Sequence, residues 1–153
     1  MIVSESSSTS KSVTLDRVVA KLKLSFSDKI PSGLSTISVT PGTWYYGLDY
    51  ITGEPVSEVN SLEKVFDIPS SYIGTTGNLS VSIFGFSSDG EWSTDIYISA
   101  KDSNGNTIGY VTIPDAPFSR NVSTEYSGKL FHGNSGFSLM VDDNWNDTYE
   151  GEW

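Results

Sequence analysis

The sequence predicts an all-β fold: a single antiparallel β-sandwich of about seven strands. Three observations predict it. Apolar residues recur at every second position in short runs such as Leu79-Ser80-Val81-Ser82-Ile83, the period of a half-buried strand. Gly, Pro and Asn punctuate the runs, at Pro31-Ser32-Gly33, Pro41-Gly42, Thr52-Gly53-Glu54-Pro55 and Asn104-Gly105, as tight turns require. The one stretch with a helical option, Ser57 to Phe66, carries only a weak apolar stripe.

The elements follow in order. Residues 1–12 are Ser/Thr-rich and read as a flexible leader, residues 13–145 as the sandwich, and residues 146–153 as an acidic tail. Val18, Ala20, Leu22, Leu24 and Phe26 share one parity, whereas Val13 and Leu15 lie on the other. The phase slips near Arg17, which predicts a bulge or a break into two short strands. Leu34 to Thr40 forms the next strand and Trp44 to Ile51 an extended aromatic one. Residues 56–76 read as a long excursion ending in a short strand near Val65 to Ile68. Leu79 to Phe86 is a strand. Asp95–Lys101 and Thr107–Ile113 flank Asp102-Ser103-Asn104-Gly105-Asn106 as a tight hairpin, Asn104 and Gly105 both being tolerant of positive φ. Pro114 and Pro117 are expected to stop its second strand. Ser119–Phe131 and Phe137–Val141 supply the last strands. Leu22, Leu24, Val81, Ile83, Ile98 and Val111 are the expected core.

The chain has 153 residues, a formal net charge of −10 and a pI of about 4.3. Its basic residues are scattered, which argues against nucleic acid as a partner. There is no cysteine, hence no disulfide and no thiolate metal site. No apolar run is long enough for a transmembrane helix.

Catalytic motifs are missing: no nucleophile elbow, phosphate-binding loop or dinucleotide fingerprint occurs. The sole histidine, His132, has no second histidine or cysteine with which to share a metal and reads as a surface turn residue. Asp102 to Asn106 reads as a hairpin turn rather than half a calcium loop. Asp142, Asp143 and Asp147 read as a solvated acidic tail. The expectation is a non-enzyme with no catalytic residue, cofactor or metal. Trp44, Tyr46 and Trp92 are candidates for stacking on sugar rings, against the competing reading that Trp44 and Trp92 fill the core.

Arg17-Val18-Val19-Ala20-Lys21 resembles the R-x-x-A-K first strand of the fimbrillin-like proteins of Bacteroides-type bacteria. Pro117-Phe118-Ser119-Arg120-Asn121-Val122-Ser123-Thr124, then Gly128-Lys129-Leu130-Phe131 and, after Phe137–Val141, Trp145, resemble the ending of those domains. The resemblance implies a transthyretin-like sandwich, export, a lipoprotein signal in the precursor, an outer-membrane surface location and a role in pili or adhesion. Its implied partners are other surface or fimbrial proteins, with a host or glycan ligand as a further option. Polymerising members carry two such domains and extra C-terminal strand material; one domain and a short acidic end favour an accessory or anchor role. The family also suggests a mechanism. Proteolysis after Lys11 or Arg17 frees a leading strand, so Val13, Leu15 and Arg17 are the strand-exchange candidates.

Overall fold

The computed structural model describes residues 17–60, 62–87, 90–131 and 136–142. Among these residues ten strands follow one another: β1 (Val19–Phe26), β2 (Leu34–Pro41), β3 (Thr43–Leu48), β4 (Pro55–Asn60), β5 (Lys64–Asp67), β6 (Leu79–Phe86), β7 (Trp92–Asp102), β8 (Thr107–Phe118), β9 (Ser123–Lys129) and β10 (Gly136–Asp142). A single 3₁₀ turn, Ser70–Tyr72, lies between β5 and β6. Two four-stranded sheets, ordered β10-β9-β1-β6 and β5-β2-β7-β8, pack together, and β3-β4 forms a separate two-stranded hairpin. The all-β sandwich read from the sequence is the observed fold, but with ten strands among the described residues where about seven were expected, because short strands such as β4 lack clean alternation.

Period-two alternation builds its core. In β1, Ala20, Leu22, Leu24 and Phe26 are buried while the residues between them are partly exposed. Leu79, Val81 and Ile83 of β6 continue that face, and so does Tyr126 of β9. The opposing sheet contributes Ile37 and Val39, Ile96 and Ile98, and Val111 and Ile113. All six residues expected in the core are buried. A two-residue period leaves each sheet one apolar and one hydroxyl-rich face, and only a second sheet covers the apolar one.

Three features depart from expectation. First, β1 pairs antiparallel with β6 but parallel with β9. Strand text carries no direction of pairing, so the alternation that located β1 and β9 could not reveal this. Second, β8 runs past Pro114 and Pro117 to Phe118. It lies at a sheet edge, where a missing N–H breaks no ladder bond. Ile113 faces Ile96 and Ala116 faces Thr94, so Pro114 and Asp115 together oppose Asp95, a bulge. Asp115 sits at φ 50 and donates its N–H to Asp95 Oδ1 at 3.0 Å, and Ala116 and Phe118 thereby return to the core. Third, β4 takes Pro55 from a predicted turn and residues 56–60 from the stretch read as an excursion, and pairs with β3. Val56 and Val59 are three apart, a spacing that conceals a strand.

The β7–β8 turn also differs in detail. Asp102 N–H donates to Asn106 O and Gly105 N–H to Asp102 O, enclosing the loop Ser103-Asn104-Gly105. Gly105 alone has positive φ, at 85°, whereas Asn104 does not. The turn is thus a three-residue loop with a glycine bulge, not a two-residue turn. Asp102 Oδ1 accepts from the N–H groups of Asn104 and Asn106, and Oδ2 accepts from Asn106 Nδ2. The Asn106 side chain, followed by the backbone donors, holds the Asp102 carboxyl below the usual range. A lowered folded-state pKa stabilises above the ordinary carboxylate range and is lost as pH falls through the lowered value. Gly105→Val is expected to cost about 1–3 kcal/mol, because a β-branched residue resists that φ. Thermal melting at neutral pH checks it; an unchanged midpoint contradicts the turn.

Candidate functional site

The aromatic residues singled out in the sequence divide between core and surface. Trp44 is 0% exposed. Its indole meets Trp92 edge-on at 5.3 Å and Phe118 at 5.0 Å, and its Nε1–H donates to Phe84 O at 3.0 Å. A buried Trp needs such a partner for its N–H. Gly85 makes room: a Cβ there would stand 2.5 Å from Trp44 Nε1. Trp44 is therefore a core residue, and no sugar can stack on it. Trp92 is half-buried, packs on Tyr45 and Phe118, and donates Nε1–H to Ser87 Oγ. Tyr46 is half-buried beneath the Lys64 ammonium, 5.5 Å from its ring, and its hydroxyl meets no partner among the described residues. Burial pushes the Tyr46 phenol up. Arg17 is exposed, just ahead of β1; Val13, Leu15, Lys11, His132, Asp143 and Asp147 lie outside the described residues.

An open groove runs beside Tyr46. It has a volume of about 310 Å³ and is lined by Tyr46, Lys64, Phe66, Ser82, Ile83 and Phe84. Residues of β5 and β6, an edge strand of each sheet, line its two sides. Main-chain pairing explains the exposed edge. Lys21 N–H turns toward Val122 O on the β9 side. Its partner Phe84 therefore points its main-chain groups away from β1, and Trp44 takes Phe84 O.

The β3–β4 hairpin projects beside this groove with an apolar tip. Tyr50 is 90% and Ile51 78% exposed. The tip is held in shape from within. Asp49 Oδ1 accepts from the N–H groups of Ile51 at 2.8 Å and Thr52 at 3.2 Å, and Gly53, at φ 74, donates to Asp49 O. Those N–H groups, Ile51 first, hold the Asp49 carboxyl below its usual range. The ordered tip is therefore expected above the ordinary carboxylate range and is lost as pH falls through the lowered value. Asp49→Ala should mimic acid at neutral pH; amide exchange at Ile51 and Thr52 measures both, and protection that persists in the variant contradicts the role of Asp49. Val56 and Leu62 extend the exposed apolar surface along the hairpin and its exit.

The sequence reading missed a second surface. Tyr97 faces Thr112 and Thr40, while Tyr110 faces Ser99. The two tyrosines stand diagonally on the outer face of β7–β8, 36% and 56% exposed. Asp95 accepts from the Tyr97 hydroxyl and, chiefly by its charge, raises the Tyr97 pKa. Period-two parity was the available signal: both tyrosines lie opposite in phase to Ile96, Ile98 and Val111.

The two grooves differ in the charged groups that line them. The groove beside Tyr46 is lined by one ammonium and no carboxylate. A second cleft of about 210 Å³, lined by Glu91, Pro117, Phe118, Ser119, Val122 and Thr124, holds one carboxylate. Among the described residues no group of three or more His, Asp or Glu side chains could hold a metal. No helix there is long and apolar enough to cross a membrane.

The fold is similar to that of a putative cell adhesion protein from Bacteroides ovatus, with a TM-score of 0.54 and 15% sequence identity. The match covers 82% of this chain and 45% of that one, so the chain spans less than half the length of the solved protein. No protein-family model and no curated protein matches.

Proposed function

We propose that this chain is a non-catalytic cell-surface adhesion domain that acts through protein–protein contacts at the β3–β4 tip and the adjoining groove. The observation that carries the reading is the Tyr50–Ile51 tip, apolar, exposed and braced by Asp49. Adjacent large apolar side chains held in water signal a contact surface. Likeness of fold to part of the Bacteroides ovatus protein supports the adhesion class, and the fimbrillin-like motifs support export, a lipid anchor in the precursor and a fimbrial accessory or anchor role. In the finer mechanism, cleavage after Lys11 or Arg17 releases residues 1–17 or frees them for exchange, and a cut at either place leaves the β1 pairs intact. Beads coated with the chain should attach saturably to bacterial or epithelial cell layers. Soluble chain should compete, and Tyr50→Ser/Ile51→Ser should reduce attachment. Attachment equal to that of uncoated beads refutes the reading.

A second reading, a carbohydrate-binding module, is favoured by the Tyr97–Tyr110 pair rather than by Trp44. Glycan-array binding abolished by Tyr97→Ala/Tyr110→Ala, with the tip variant still binding, selects it.

A further inference from the structure

Two features of one hairpin lie side by side. Its first strand supplies Tyr46 to the groove, and its end carries Tyr50 and Ile51. The tip is convex and apolar; the groove is concave, with Phe66, Ile83 and Phe84 in its lining. Its volume of about 310 Å³ suits side chains.

Charge is complementary as well. Lys64 stands at the groove over the Tyr46 ring, whereas Asp49 and Glu54 flank the tip. In a chain of net charge −10, general repulsion opposes self-association, so a copy of this chain can dock only where a local cation meets local carboxylates. Groove and tip provide that match.

We propose that the chain pairs with a second copy of itself about a two-fold axis, each copy setting its Tyr50–Ile51 tip into the other's groove between β5 and β6. The proposal rests on reading tip and groove as the contact surface and names the partner. Adjacency selects the symmetry. Tyr50 lies four positions after Tyr46 in one hairpin, at most roughly 13 Å away at strand rise. An axis passing between tip and groove makes both contacts at once, which is an isologous interface. A head-to-tail chain would need tip and groove on opposite sides of the molecule. Two tips and two grooves bury little surface, so the dimer belongs to the transient class, with a dissociation constant between about 1 µM and 1 mM.

Sedimentation velocity over a concentration series of the full chain tests this. The expected result is a monomer–dimer equilibrium. Tyr50→Ser/Ile51→Ser should weaken it at least about tenfold, by removing the buried anchors. Lys64→Glu should weaken it most at low ionic strength, and adding Glu54→Lys should restore it. Tyr50, Ile51, Lys64 and Glu54 are exposed, so circular dichroism should show each variant folded. A photo-crosslinking residue at position 50, in a mixture of ¹⁴N- and ¹⁵N-labelled chains, should join peptides of different copies at Phe66 or Phe84. A monomer at every concentration, association indifferent to the tip variant, or crosslinks confined to one copy overturns the proposal. A monomer whose attachment to cells still depends on Tyr50 and Ile51 overturns the second copy alone and leaves the adhesion reading standing.

Discussion

Trp44→Ala is expected to destabilise the domain by about 3–5 kcal/mol, the range for deleting a buried aromatic side chain. Trp44 is fully buried and joins β3 to the sandwich twice, through the rings of Trp92 and Phe118 and through Nε1–H to Phe84 O. Trp44→Phe keeps a ring but no donor, and about 1–2 kcal/mol is expected. A double-mutant cycle isolates the packing. Gly85→Ala should destabilise the parent, since its Cβ meets the indole. In the Trp44→Ala background the same change should cost much less. Urea denaturation supplies the free energies. Equal Gly85→Ala effects in both backgrounds would show that the close approach is not what fixes glycine there.

Asp28→Ala is expected to cost about 2–4 kcal/mol, on the scale of hydrogen bonds to a charged acceptor. Asp28 is buried just past the end of β1, and its Oδ2 accepts from Leu130 N–H at 3.1 Å and Phe131 N–H at 2.6 Å. Leu130 in turn crosses β8 at Gly109, where a Cβ would lie 2.8 Å from Leu130 O. Removing the carboxylate leaves two N–H groups without their acceptor. Asp28→Asn keeps one amide oxygen and should recover part of the loss. Chemical denaturation decides; a change within about 0.5 kcal/mol would show that water replaces the carboxylate without cost.

Parity made most of this legible beforehand. The buried series in β1, β6 and β7 is visible because each strand has one wet face and one dry face. Asn104-Gly105 marked the hairpin, although an aspartate three residues before the glycine, accepting main-chain hydrogen bonds, made the loop one residue longer. What alternation cannot encode stayed hidden. The parallel partner of β1 lies about a hundred positions away, and β4 has its pairing surface in β3 rather than in its own spacing. The prolines of β8 were read as stops because edge position, which excuses them, is a tertiary fact. The candidate surface was legible only in part. Aromatic content drew attention to Trp44, yet large rings alone do not distinguish core from contact, and Gly85, which admits Trp44 to the core, carries no sign of that role. Tyr50 and Ile51 sat unremarked within an extended run because only the hairpin bend sets them at a tip.

The parallel seam between β1 and β9 bears on how the molecule is made. Lys21 pairs with Ser123 and Phe26 with Gly128, so β1 must wait for a strand synthesised about a hundred residues later. Loop closure over such a distance is slow relative to hairpin formation. The β7–β8 hairpin can close first, and β1 can zip onto β6 while its other flank stays bare. For that interval the nascent molecule presents an open, ready-made strand edge. A chain released before Ser123 would keep that edge permanently, which makes arrival of β9 the step that covers β1 against neighbouring molecules.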